Sequence, residues 1–317
     1  MKILALLVVS INISTASFSQ DLATTMILKL NGKIKSVTEY SFDVVQTGGT
    51  IQKGKPIGKD LYYYNKDGNL TEELKYHIDK SITKLVIKNI YLYDAKGNKT
   101  SEINYTESNG KMKMYEKRIS VYDTKNNLIE YATGQGKYTY LYDTANHLIG
   151  TTGNNGKFKT KNTLDNKGRV IEVFSTDEKG KLQIQSSYVY DDMNNKVENK
   201  EYREGNIYET GKYKFENNKL IENSYYQGTK LSSKFIYKYN DKGKMIAEIE
   251  YYGDGKEGEK TLYQYDSDGN LIQYNSFGGY NEYMKLGDFD KNGNWLKRIF
   301  TIKEEPMIIE RKIEYTE

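Results

Sequence analysis

The chain of 317 residues contains no cysteine. That removes disulfides, thiol catalysis and cysteine-ligated metals, and it removes the acylated cysteine that a lipoprotein anchor requires. Proline is almost absent, with only Pro56 and Pro306, which argues against a disordered or linker-rich chain. Histidine is limited to His77 and His147, too few to suggest imidazole chemistry without a recognisable context. An excess of one charge is also lacking: 47 Lys and Arg stand against 43 Asp and Glu, a formal charge of +4. The charges are interleaved, as in Glu72-Glu73 with Lys75 or Glu257 with Lys256 and Glu259-Lys260. No basic block is left for a nucleic acid.

An apolar run from Ile3 to Ile13, interrupted by Ser10 and Asn12, is too short to span a bilayer. It follows Lys2 and precedes small residues, with Ser17 and Ser19 placed for cleavage before Gln20. This predicts a signal peptide over 1–19 and export to the periplasm, outer surface or medium. After cleavage no transmembrane span and no lipid anchor remain, and the charge of 20–317 falls to +3 on loss of Lys2.

What the chain has in abundance is tyrosine, 31 residues, a strong strand former. The tyrosines recur in a motif: Tyr62-Tyr-Tyr-Asn-Lys-Asp-Gly-Asn-Leu70, Tyr91-Leu-Tyr-Asp-Ala-Lys-Gly-Asn98 and Tyr263-Gln-Tyr-Asp-Ser-Asp-Gly-Asn-Leu271. Weaker copies open at Ser120, Tyr140, Thr163, Tyr188, Tyr213, Tyr237 and Gly287. Counted from the residue that opens each turn, they fall at 65, 94, 123, 143, 165, 191, 216, 240, 266 and 290. The Asp or Asn accepts N–H bonds from residues just ahead of it, and the Gly supplies a positive φ. Asn takes the Gly slot in several copies because it tolerates the left-handed region. A connection this short joins antiparallel neighbours.

A second turn signal lies between motifs, as in Ser108-Asn-Gly-Lys111 or Gly253-Asp-Gly-Lys256. Each repeat therefore reads as a hairpin pair. About ten repeats give on the order of twenty strands, more than an open sheet holds without curling or splitting. The expected fold is all-β, a long antiparallel hairpin meander forming a curled or spiralling elongated sheet. Its single domain, 20–317, divides into capping strands over 20–60, repeats over 61–297 and a capping strand over 298–317. The Tyr-x-Tyr spacing puts both rings on one face, and Trp295, in the Leu slot, is expected in the core.

The Tyr-Asp-x-x-Gly-Asn-Leu pattern resembles the YD repeat of the Rhs family and of related cell-wall-associated bacterial proteins, over about residues 60 to 297. The resemblance implies a β-sheet that spirals into a shell, which in the largest members encloses a toxin. This chain is short, has no distinct toxin segment after Trp295 and lacks the self-cleaving core. It looks more like the small exported YD-repeat proteins of Bacteroidota, and ten repeats do not imply a complete closed shell.

Candidate chemistry is sparse. His147 sits in the Asn slot of a turn and His77 near a strand end, so neither marks a catalytic base or a metal site. The turns Asn65-Lys-Asp67-Gly-Asn69, Asp266-Ser-Asp268-Gly-Asn270 and Asp290-Lys-Asn292-Gly-Asn294 carry Gly at position four and no Glu at twelve, unlike a calcium loop. No cofactor, metal or catalytic residue is assigned. Aromatic rows beside Asn and Asp suit sugar stacking, and Tyr225, Tyr226, Tyr251 and Tyr252 are the candidate ligand-binding residues. The expected function is a non-catalytic exported scaffold that binds a glycan or an envelope protein. The competing readings are an envelope-polymer hydrolase, with a cleft around Gly150-Thr-Thr-Gly-Asn-Asn-Gly156, and a shell or immunity partner of a toxin system.

Overall fold

The computed structural model describes residues 30–316, apart from 48–49, 81, 154–155, 157, 178, 278–282 and 303–304. The expected signal peptide lies outside the described residues. The strands are β1 (Ile34–Thr47), β2 (Thr50–Tyr64), β3 (Leu70–Asp79), β4 (Ile82–Tyr93), β5 (Lys99–Ser108), β6 (Lys111–Tyr122), β7 (Leu128–Thr133) and β8 (Gly136–Tyr142). Then come β9 (Leu148–Gly153), β10 (Phe158–Leu164), β11 (Val170–Thr176), β12 (Leu182–Tyr190), β13 (Lys196–Arg203), β14 (Asn206–Glu216) and β15 (Lys219–Gln227). The remainder are β16 (Lys230–Tyr239), β17 (Met245–Tyr252), β18 (Glu257–Tyr265), β19 (Leu271–Phe277), β20 (Tyr283–Phe289), β21 (Trp295–Ile302) and β22 (Glu305–Tyr315).

The all-β meander expected from the sequence is present: each strand pairs antiparallel with the next in the chain. The open, elongated sheet is not. β1 also pairs with β22, from Ile34 opposite Tyr315 to Phe42 opposite Ile308. The 22-stranded sheet is thus a closed barrel, and the two terminal strands read as caps are the seam. Closure removes the free edges that an open meander would expose.

Nine of the ten motif turns share one pattern along one rim, and the tenth, between β14 and β15, is a two-residue turn at Asn217 and Asn218 with φ +48° and +62°. Asp94 Oδ1 accepts the N–H of Lys96 and of Asn98, each at 2.9 Å, while Asn98 Nδ2 donates to Asp94 Oδ2 at 2.9 Å. Gly97 holds φ +85°, and Asn126 holds φ +73° at the same position of the next turn. At these turns a register shift sets the last Tyr of the motif opposite the Leu slot: Tyr64 opposite Leu70, Tyr142 opposite Leu148, Tyr265 opposite Leu271. Neighbouring turns are stitched together, Asn98 Nδ2 donating to Asn126 Oδ1 at 3.0 Å and Asn195 Nδ2 to Asn218 Oδ1 at 2.9 Å.

Alternation separates two faces. On β14 and β16, Tyr213, Phe235 and Tyr237 are buried, whereas Lys212, Lys214 and Lys238 are exposed. In a closed sheet the buried tyrosine face is the interior. Every buried hydrophobic residue among those described lies on β14–β22 or β1. Trp295 is 3% exposed, in the core as its slot predicts, and Tyr225 meets Tyr213 and Phe235 edge-on with centroids 6.4 Å apart. On β2–β13 the inward tyrosines Tyr62, Tyr91, Tyr140 and Tyr188 are only half-buried.

Candidate functional site

The four candidate tyrosines do not form one surface. Tyr225 and Tyr226 are adjacent on β15 and point to opposite faces. Tyr225 is 8% exposed and packed in the core, accepting a hydrogen bond from Asn223 at 3.2 Å. Tyr226 and Tyr251 lie under Lys212 and Lys234, each with the ammonium 5.4 Å from the ring centroid. Tyr252 is exposed near the opposite rim and sits close to the backbone of Gly258. Gly150 and Gly153, in the stretch proposed as a cleft, are buried within β9, and residues 154–155 fall outside the described set.

The outer face carries ion pairs beside exposed apolar side chains such as Leu92, Leu141 and Val189. Lys88 pairs with Glu72 at 2.7 Å, Lys137 with Glu130 at 2.6 Å, Lys200 with Glu198 at 3.0 Å and Lys214 with Glu222 at 2.8 Å, each across or along the outer wall. Exposed pairs of this kind contribute roughly 0–1 kcal/mol each. A lipid-facing barrel wall carries apolar side chains at such positions. No helix among the described residues is long and apolar enough to cross a membrane.

The inner face of β2–β13 gathers the chemistry. Glu73 on β3 accepts from Asn89 Nδ2 at 2.7 Å and from the Tyr91 hydroxyl at 3.2 Å, and pairs with Lys75 at 2.9 Å. Burial alone would raise this carboxyl; the bonds from Asn89 and Lys75 overcome it and hold Glu73 below the usual carboxylate range. Asn104 Nδ2 continues the chain to Asn89 Oδ1 at 2.9 Å. Farther along, Tyr213 donates to Asn199 Oδ1 at 2.8 Å, Asn199 Nδ2 reaches Glu201 at 3.1 Å and Ser186 donates to Glu201 at 2.8 Å. Tyrosine rings alternating with amides and charged groups make this half of the interior amphipathic and partly open.

A cavity of about 240 Å³ opens on this face, lined by Lys99, Ser101, Glu102, Arg118, Ser120 and Tyr131. Glu102 accepts from Lys99 Nζ and from Arg118 Nη1, both at 2.7 Å, and Arg118 Nη2 reaches Glu116. Desolvation would raise Glu102, but the Lys99 bond and charge, with Arg118 behind them, keep it below its ordinary range. The position was legible as a motif that begins with Ser120 where seven other copies have Tyr; nothing in one sequence shows which side chains would surround the gap.

At the seam, Arg311 Nε donates to Glu39 Oε1 at 2.9 Å and Nη2 to the same oxygen, with the guanidinium 3.5 Å above the Trp295 ring. Both side chains are nearly buried, at 5% and 11% exposure. Arg298 lies 5.2 Å from the same ring, and burial, opposed in part by Glu39, pulls its guanidinium below its ordinary range. This cluster packs the interior where the terminal strands meet.

The motif acids are engaged within their own turns. Asn65 Oδ1 accepts from Asp67 and Asn69 N–H at 3.0 Å each, and Asp266 accepts from the Asn270 backbone and side chain at 2.7 and 3.0 Å. His147 takes the Asn role, its Nδ1 3.0 Å from Asp143 Oδ2. Among the described residues no group of three or more His, Cys, Asp and Glu is placed to hold a metal ion.

Comparison with known proteins matches no family model and no curated protein. Among solved structures, the chain is similar to TcdB2-TccC3-TEV with a TM-score of 0.42 and 13% identity over 85% of this chain. It spans only 15% of the length of that structure. A porin-like protein from Bacteroides uniformis aligns over 90% of this chain and 99% of its own, with a TM-score of 0.28 and 11% identity. Likenesses at this level assign neither family nor function.

Proposed function

We propose that the protein is a non-catalytic binding barrel, exported to the cell envelope, that holds a glycan against the inner tyrosine face of β2–β13. One observation carries this reading: the hydrophobic core is confined to β14–β22 and β1, so the other half of the inner wall presents half-buried tyrosines beside amides and ion pairs. Binding sites for polar organic molecules combine aromatic walls with a few placed hydrogen-bonding groups. The apolar run behind Lys2, with Ser17 and Ser19 before Gln20, supports export. The charged outer wall supports a barrel that works in water.

The test is a glycan array probed with purified protein, repeated with inner-face variants Tyr91→Ala and Tyr140→Ala and outer-face variants Tyr226→Ala and Tyr251→Ala. Loss of roughly tenfold or more on the inner changes, with the outer ones near wild type, is expected, since stacked aromatic rings contribute on the order of 1 kcal/mol or more each. Loss confined to the outer variants would move the site outside the barrel. A folded protein that retains no glycan would end the glycan reading.

A further inference from the structure

We infer that the gap at Ser120 is the seat of a single neutral pyranose ring, the primary subsite of the glycan reading on which this inference rests. The repeat itself defines the gap. Tyr62, Tyr91, Tyr140, Tyr188, Tyr213, Tyr237 and Tyr263 occupy the first aromatic slot of their motifs, and Ser120 occupies the same slot on β6. A phenol ring is replaced by a hydroxymethyl group, and the resulting cavity of about 240 Å³ far exceeds the roughly 10–15 Å³ of such space that one water needs.

The charges around it cancel. Lys99 and Arg118 are both engaged by Glu102, and Arg118 is shared with Glu116. No cation is left over for a phosphate or a carboxylate, so an anionic ligand would have to break an existing pair to bind, whereas a neutral polyol would not. Hydroxyl chemistry is what remains. Ser120 offers a donor and two acceptor sites. Glu102 and Arg118, paired across β5 and β6, share the inner face with Ser120, two residues beyond Arg118. Tyr131, opposite Ser120 in the β6–β7 ladder, supplies an aromatic wall for the apolar side of the ring. Donors, acceptors and one aromatic surface around a charge-neutral cavity match a neutral hexopyranose.

The experiment is calorimetric titration of the purified full chain with free glucose, galactose, mannose and N-acetylglucosamine, and with glucuronic acid and glycine as charged controls. Ser120→Tyr restores the repeat consensus and fills the cavity; Tyr131→Ala removes the aromatic wall. At least one neutral hexose should bind saturably, weaken tenfold or more in Ser120→Tyr and weaken three- to tenfold in Tyr131→Ala. The thermal midpoint of Ser120→Tyr should be at or above wild type, which separates filling from misfolding. Preference for glucuronic acid or glycine would overturn the neutral-sugar assignment. Array binding that needs Tyr91 and Tyr140 yet is indifferent to Ser120→Tyr would overturn this subsite and leave the inner-face reading standing. Absence of any sugar binding would overturn both.

Discussion

Glu248 illustrates what an inward position does to a single side chain. It lies on β17 opposite Tyr237, 6% exposed, with one carboxylate oxygen buried and unpartnered among the described residues. Burial, with Glu259 and Glu250 adding negative charge, pushes its carboxyl up to about 7. The folded protein therefore holds this proton more tightly than the unfolded chain, whose carboxyl titrates near 4.5. Stability from this group is complete below pH 4.5 and is lost as pH rises towards 7. A difference of this size corresponds to about 3 kcal/mol. Glu248→Gln should melt well above wild type at pH 8 and close to it at pH 4; an equal difference at both would show that Glu248 is not protonated in the fold. Nothing in the sequence singles out Glu248 among 43 acidic residues, although the groups around it, Tyr237, Glu250 and Glu259, lie on its own strand and the two beside it. The candidate tyrosines show the converse: period-two alternation alone places Tyr225 and Tyr226 on opposite faces.

Within a hairpin, local chemistry was legible because it is local. The Asp or Asn that opens a turn and the Gly or Asn that closes it dictate the conformation within five residues, and every motif turn read from the sequence is present. What the motif did not reveal is why its last position is Tyr. Tyr93 donates to the backbone oxygen of Leu70 at 2.7 Å, Tyr142 to Leu128 at 3.0 Å, Tyr239 to Leu220 and Tyr265 to Met245 at 2.8 Å each. Each hydroxyl thus ties one hairpin to the Leu slot of the hairpin before it. Where the motif has Leu164 instead, Asn162 Nδ2 reaches across to the Leu148 oxygen at 2.9 Å, so the tie survives a change of residue. Tyr93→Phe removes the hydroxyl and leaves the ring, and should cost about 1 kcal/mol in a denaturant titration. Leu164→Phe, where no hydroxyl is lost, should cost less than Tyr93→Phe unless the larger ring is sterically refused. If Tyr93→Phe is neutral, the hydroxyl tie contributes nothing and ring packing alone explains the tyrosine.

Closure is a property of the whole molecule, and it was hidden because its signal is divided between the chain ends. Tyr315 faces Ile34 in the register in which Tyr64 faces Leu70 and Tyr142 faces Leu148. The Thr316 N–H donates to Lys33 O at 2.9 Å, as the Asp94 N–H does to Asn98 O at 3.0 Å, and Gly32 holds φ +94° in the Gly slot. Asn31 N–H bonds Asn294 Oδ1 at 2.7 Å, stitching this turn to its neighbour as the others are stitched. The seam is therefore an eleventh motif turn in two halves, beside the ten that can be read along the chain. Joined directly, the ends would read Tyr315-Thr316-Glu317-Asn31-Gly32-Lys33-Ile34, which fits the motif spacing. A circular permutant that fuses Glu317 to Asn31 and opens the chain between Asn109 and Gly110, in a turn on the other rim, should fold to the same barrel. Its circular dichroism should match the parent, with a melting temperature equal or higher, because a split turn becomes continuous and loses less chain entropy on folding. Removal of 305–317 leaves β1 and β21 without a partner along the seam, and those edges should drive aggregation. A permutant that aggregates like the truncated chain would mean that the seam depends on free ends, and the eleventh turn would then be a resemblance in register without the stability of a true repeat.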